Sequence, residues 1–278
     1  MIKLDIDQAS LQGDTVNSVS LNHYSGIVTK SFRSGNGIHR LASDRLVAEI
    51  TSLQRIPIAP TFVGSSDSQV HMKMLSGENH LDAIVDHEPE QVRAQIYQTA
   101  GKSLSTIHQH FRQKATGDVV AGHLVTANKN LQAIASKLCL KDIPTLDAIN
   151  YLQGNLSRST QEVAKIGLTW THGDFWLNNL IGQIRDKKFS LTGVIDWELA
   201  KVDTPYADFA IVQMSLEVPH PDSSKHFWHG YGQHPDKKTK NYFSVMKLFE
   251  WIAADPEGNL DSEFYQPKID FLREEIRK

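Results

Sequence analysis

The chain has 278 residues, enough for one large domain or two lobes of ordinary size. Hydrophobic residues make up 40% and charged residues 22%, which predicts a soluble globular protein whose core needs neither disulfides nor a structural metal. A total of 29 basic against 32 acidic residues gives a net charge of −3, which argues against a nucleic-acid partner. The single Cys139 has no internal partner and reads as a core thiol in a Leu-rich helix. No apolar run approaches the ~20 residues that span a bilayer. The acidic start, MIKLDIDQAS, has no apolar signal-peptide core, so a cytoplasmic protein with no membrane partner is expected.

The first part of the chain alternates in the manner of a small antiparallel sheet. A turn is expected at Gly13 and Asp14, followed by strands over 16–21 and 27–32 with a second turn at 22–26. Val28, Lys30 and Phe32 share one face by the two-residue period, so Lys30 either snorkels to water or reaches a buried anion. Residues 41–55 read as a helix, with Ser43 as its N-cap and Leu46, Ile50 and Leu53 at helical spacing. Glu49 lies at the edge of that apolar face, where it either pairs with Lys30 or faces solvent. Pro57 and Pro60 close the segment, and 61–75 reads as two further strands joined at 65–68. Five short strands and one helix are expected in all.

After Ser76 and Gly77 the pattern becomes helical. Val92, Ile96, Ala100, Leu104, Ile107 and Phe111 mark one face of a helix of about five turns. His108 and His110, two residues apart, point to different sides and read as packing or solvent-facing residues rather than metal ligands. Further helices are expected near 131–138, 146–165, 205–218, 240–254 and 261–277, while 220–236, rich in His, Pro and aromatics, reads as a loop. The expected organisation is α+β: a β-rich lobe over 1–75 and a larger helical lobe over 76–278.

Residues 170–200, WTHGDFWLNNLIGQIRDKKFSLTGVIDWELA, concentrate the chemistry. Two β-prone runs flank a charged tip at Arg185, Asp186, Lys187 and Lys188, which is a hairpin signal. The tip lies midway between Asn179 and Asp196, so folding there brings both to the open end. An amide oxygen and a carboxylate meeting beside a second carboxylate make a hard-oxygen site suited to Mg²⁺. The second carboxylate, Asp174, is left to accept a proton.

His172-Gly173-Asp174 with Asn179, then Val194-Ile195-Asp196-Trp197-Glu198, then Ala207-Asp208-Phe209-Ala210, together resemble the aminoglycoside phosphotransferase and choline kinase superfamily. The resemblance runs through nearly the whole chain in order, and implies a two-lobed protein-kinase-like fold and an ATP-dependent small-molecule kinase. It casts LQGDTVNSV as the loop over the phosphates, with Gly13, Thr15 and Asn17 as contributors, Lys30 as the ATP lysine and Glu49 as its helix partner. VHMKMLSG, with Met72 and Met74, resembles the hinge strand, and LSTIHQHF the helix before the catalytic segment. By the same resemblance Asp174 orients the acceptor hydroxyl and takes its proton, with the ordinary aspartate pKa of ~3.9 sufficient for the task. Asn179 and Asp196 hold Mg²⁺ against the ATP phosphates, His172 braces the loop, and Asp208 hydrogen-bonds that loop or serves as a helix N-terminal acid.

The phosphate loop has one glycine where a protein kinase has several, and I-D-W stands in place of D-F-G. Only residues 197–207 separate Asp196 from Asp208, the acid of the next helical segment, leaving little room for a peptide platform, so a small-molecule hydroxyl acceptor is expected. Trp197 and Glu198, with 220–236, are expected to shape its pocket, and a carboxylate among aromatics hints at a cationic acceptor. Two other readings are open: a nucleotide-binding module without turnover, and a metal-dependent phosphohydrolase. The sequence carries no sign of oligomeric state.

Overall fold

A computed structural model of the protein describes residues 17–32, 58–66, 69–77, 81, 85–110, 145–254 and 265–277. They form two compact units. One holds the described residues up to Ile96 together with His172–Lys201, and the other holds those of Tyr97–Thr171 and Val202–Lys278. This division differs from a boundary at 75–76, because the segment 172–201 groups with the N-terminal part of the chain. The turn expected at Gly13 and Asp14 and the helices expected at 41–55 and 131–138 lie outside the described residues.

In the first unit, β1 (Asn17–Asn22), β2 (Ile27–Phe32), β3 (Phe62–Ser66) and β4 (Gln69–Lys73) form an antiparallel sheet in the order β1-β2-β4-β3. The β1–β2 turn is closed by Asn22. Its Oδ1 accepts from the amides of Tyr24 (3.0 Å) and Ser25 (3.1 Å), and Gly26 supplies the left-handed φ of +63°. Lys30 sits in the middle of β2, opposite Val19 on one side and Val70 on the other.

The helix α1 (Glu90–His110) follows, then α2 (Thr145–Ile166) and the short strand β5 (Thr169–Thr171). The hairpin β6 (Leu180–Arg185) and β7 (Lys188–Val194) precedes β8 (Lys201–Asp203), which pairs with β5. Four helices complete the described chain: α3 (Tyr206–Val212), α4 (Pro221–Tyr231), α5 (Lys237–Ala254) and α6 (Gln266–Arg277). The architecture is α+β, an antiparallel sheet followed by a mainly helical remainder. No described helix is long and apolar enough to cross a membrane.

The core of the second unit is aromatic. Phe209 packs edge-on against Tyr206, Trp228, Tyr231 and the ring of His108, with centroids 5.0–5.7 Å apart. Helices α1 and α4 approach so closely that a Cβ at Gly101 would strike Phe227 O, and one at Gly230 would strike Gln98 O. Residues 221–231, expected as a loop, are helical. Pro221 occupies the first turn, where its missing N–H costs nothing, Phe227, Trp228 and Tyr231 bury one face, and Gly232 ends the helix at φ +89°. Between α3 and α4, a π-helical turn over Gln213–Glu217 places Gln213 in a buried chain of amides and hydroxyls with Asn241 (2.8 Å) and Ser244 (2.5 Å).

Asp236 starts α5. Its Oδ2 accepts from the amide and the hydroxyl of Thr239 (2.9 and 2.8 Å), and Arg158 grips both oxygens (2.6 and 3.2 Å). Hydrogen bonding from Arg158, helped by Thr239 and against partial burial, holds this carboxyl well below the usual range. A lowered folded-state pKa means that the stabilisation is complete above about pH 4 and is lost as pH falls through the folded value. Asp236→Ala is therefore expected to lower the unfolding free energy by about 1–2 kcal/mol at pH 7. In urea denaturation series the gap to the parent protein should narrow on acidification below about pH 4.

Candidate active site

The hairpin sets the geometry of the site. Arg185 pairs with Lys188 across a two-residue turn in which Asp186 (φ +51°) and Lys187 (φ +60°) are both left-handed. That is the type I′ arrangement, whose twist suits the flanking strands. An irregularity between Ile181 and Gly182 then shifts the register by one residue, so Leu180 pairs with Val194 and the Ile195 amide donates to Asn179 O at 2.8 Å. Asn179 and Asp196 thus come to the open end of the hairpin, as the position of the turn predicts.

Neighbouring segments hold the hairpin on all sides. Gln95 of α1 secures the tip, accepting from the Phe189 amide (3.0 Å) and donating to Lys187 O (3.4 Å). The Val194 amide donates to Ile58 O (2.5 Å), and the Thr192 hydroxyl lies within 2.6 Å of Ser76 O. The segment after β4 lies against it: Leu75 covers Gly193, and a Cβ at Gly77 would strike the Gly182 carbonyl.

The loop before the hairpin is fixed by His172, which is fully buried. Its Nε2 donates to Ile195 O at 2.9 Å, its Nδ1 lies 3.3 Å from the Asp174 amide, and its ring packs between Trp197 (4.6 Å) and Phe175 (5.8 Å). Gly173, at φ +81°, presses on the backbone of Leu199. Asn179 commits its side-chain amide to Asp174, donating to the main-chain oxygen at 2.7 Å and to Oδ2 at 3.0 Å. Burial pushes the Asp174 carboxyl above its ordinary value, and the charge of Asp196 adds to this, while His172 and hydrogen bonds from Asn179 and Trp176 act the other way. The expected ordinary aspartate is thus replaced by one that holds its proton more firmly.

Lys30 reaches this loop from β2. Its Nζ lies 2.5 Å from Asp196 Oδ1 and 2.7 Å from Glu198 Oε2, with 11% of the lysine side chain exposed. Of the two open readings of this lysine, snorkelling and an anionic partner, the second applies. The expected partner, Glu49, lies outside the described residues, as do Gly13 and Thr15. Asp196 itself adopts the left-handed region (φ +66°, ψ +55°), which bends the chain sharply out of β7.

Trp197 is 7% exposed and its indole N–H donates to Val194 O at 2.7 Å, so the ring packs beneath the loop. Glu198 is engaged with Lys30. Met72 is a strand residue paired with Val28 and Phe62, and Met74 is half exposed with its amide donating to Gly26 O. Asn17 opens β1, opposite Phe32. Asp208, in the second unit, is fully buried and bonds His108 Nε2 at 2.9 Å, while His108 Nδ1 meets the Tyr231 hydroxyl at 2.9 Å. The pairing of His108 with Asp208 had no signal beyond the two residues' presence in helical segments.

The donor set fits a divalent cation shared with phosphates. Asn179, its N–H groups given to Asp174, keeps its carbonyl oxygen for a cation, and Asp196 already has a cationic group against its carboxylate. Among the described residues no three His, Cys, Asp or Glu side chains are placed to hold a metal on their own. A site of one carboxylate and one amide suits Mg²⁺, which takes few protein ligands when phosphates supply the others.

Gly173→Ala should disturb the loop through both its positive φ and the collision with Leu199, lowering stability by about 2–4 kcal/mol. Gly154→Ala, in α2, where nothing lies near an added Cβ, should instead stabilise by about 0.5–1 kcal/mol. Denaturant midpoints of the two variants measured side by side test the contrast.

The fold is similar to that of several solved structures. The aminoglycoside phosphotransferase APH(2'')-Ib with ADP aligns at a TM-score of 0.61 and 17% identity, covering 97% of this chain and 95% of that one. The streptomycin–ATP complex of APH(2")-IIa aligns at 0.60 and 19%, covering 99% and 97%. The macrolide 2'-phosphotransferase MphH from Brachybacterium faecium aligns at 0.57 and 15%, covering 92% and 89%. No curated protein matches the sequence significantly. The model of the phosphotransferase enzyme family matches residues 66–239, the stretch that carries the hinge segment, the loop and the hairpin. The chain belongs to the phosphotransferase enzyme family.

Proposed function

We propose that this protein transfers the γ-phosphate of ATP to a hydroxyl of a small molecule, with an aminoglycoside-, choline- or sugar-like acceptor. The observation that supports this most directly is the meeting of Lys30 with the hairpin carboxylate Asp196 at 2.5 Å, on the loop that also joins Asn179 to Asp174. A phosphate-binding cation, a metal-binding pair and a candidate base stand together. Phosphoryl transfer asks a protein mainly for such positioning and charge neutralisation.

Asp174 orients the acceptor hydroxyl and takes its proton as the oxygen bonds to the terminal phosphorus and the bond to the ADP oxygen breaks. Its raised pKa makes it a better proton acceptor than an exposed aspartate. Asn179 and Asp196 hold Mg²⁺, which when bound neutralises charge on the phosphates. Lys30 binds the phosphates nearest the nucleoside, and the segment after β4 receives the base. There the Leu75 amide and carbonyl, unlike the Met74 amide, have no hydrogen-bond partner among the described residues. Streptomycin and ATP in one structural relative, and kanamycin and GDP in another, support a hydroxylated, cationic acceptor.

The test is nucleotide consumption over a panel of aminoglycosides, macrolides, amino alcohols and sugars. Turnover only with an acceptor supports the kinase. Equal turnover without any acceptor indicates a hydrolase, and tight nucleotide binding with no turnover a binding module. Asp174→Asn should lower kcat by about 100-fold or more while Mg²⁺-dependent nucleotide binding persists. Asp196→Asn should weaken that binding itself. Near-normal activity in both variants would sink the assignment.

A further inference from the structure

The Lys30 ammonium lies between two carboxylates, at 2.5 Å from Asp196 and 2.7 Å from Glu198. The three groups are 11%, 35% and 14% exposed, so Glu198 is the more deeply buried of the two acids. A carboxylate that buried needs a counter-ion, and Lys30 supplies it. The acids sit two residues apart on the turn that leaves β7, with Asp196 held in a left-handed conformation. They therefore converge on one point, the Lys30 ammonium, and Asp196 is shared between that contact and the metal role proposed for it.

We infer that Glu198 is a positioning residue that ties nucleotide affinity to Mg²⁺ by sequestering Lys30. The inference rests on the nucleotide and metal roles proposed above. Without metal, a nucleotide must draw the ammonium away from both carboxylates, which lose that counter-charge beside the phosphates. A divalent cation held by Asn179 and Asp196 would supply counter-charge in place of Lys30, so metal and nucleotide would each favour the other. By linkage the nucleotide must raise Mg²⁺ affinity by the same factor.

The test is calorimetric titration of ADP into the full-length protein, in EDTA and in saturating Mg²⁺. For the parent protein Mg²⁺ should raise ADP affinity by about tenfold or more. In Glu198→Gln the metal-free affinity should rise about fivefold or more, and the Mg²⁺ effect should shrink by the same factor. Glu198→Asp, which keeps the charge but retracts it, should fall between, and thermal melts of both variants report whether the fold is retained. In a Lys30→Met background, Glu198→Gln should no longer alter metal-free affinity. A parent that shows the Mg²⁺ effect while Glu198→Gln leaves it unchanged would overturn the inference and spare the kinase assignment. So would an effect of Glu198→Gln that persists without Lys30, because the carboxylate would then act on the phosphates directly. A parent that binds no nucleotide under either condition would overturn both.

Discussion

The two-residue turn at Asp186 and Lys187 is the constraint on which the site depends. A strand pair has a side-chain period of two, so a slip of one residue at the tip would exchange the faces of the whole hairpin. With both turn residues left-handed, Arg185 meets Lys188, and this register holds to Gly182 and Leu191 before a one-residue shift sets the pairing at the open end. The Asn179 carbonyl then receives the Ile195 amide, and Asp196 emerges next to it. Gln95 at the tip, Thr192 in the middle and Ile58 near the base each bond the hairpin to a different segment, so its position is fixed along its length.

The same loop separates two kinds of carboxylate by environment. Asp174 is partly buried, which raises its carboxyl above the ordinary value, although the Asn179 amide that braces it acts the other way. Asp196, the most exposed of the three groups at the clamp, faces a cation. His172 couples them mechanically, because it touches the backbone at Asp174 and at Ile195 with a single ring.

Much of this was legible in the sequence, for local reasons. The tip residues, the β-prone runs and the spacing from Asn179 to Asp196 are properties of adjacent residues, and the hairpin followed from them. The Asn22–Gly26 turn was readable on the same ground. The contact of Glu198 with Lys30 was not legible because the two lie 168 positions apart, and no local pattern says which of several acids a lysine will meet. Trp197 was placed with the acceptor on composition, whereas its N–H finds the Val194 carbonyl three residues back. The helix over Pro221–Tyr231 was hidden by its Pro, Gly and His content. Its signals were the proline in the first turn, Phe227 and Tyr231 four apart, and Gly232 at the stop. Gly230 inside that helix counts against helix by propensity, yet it is what allows contact with α1.

Asp196 illustrates what such a site asks of the rest of the molecule. A left-handed backbone at a residue with a side chain is a standing local strain, of order 1–2 kcal/mol, that glycine would not carry. Selection for thermal robustness alone would drift toward glycine or asparagine at this turn, and selection for chemistry retains the acid. A stabilising substitution found by a blind screen at position 196 would thus be a marker of a protein that has traded its reaction for its fold.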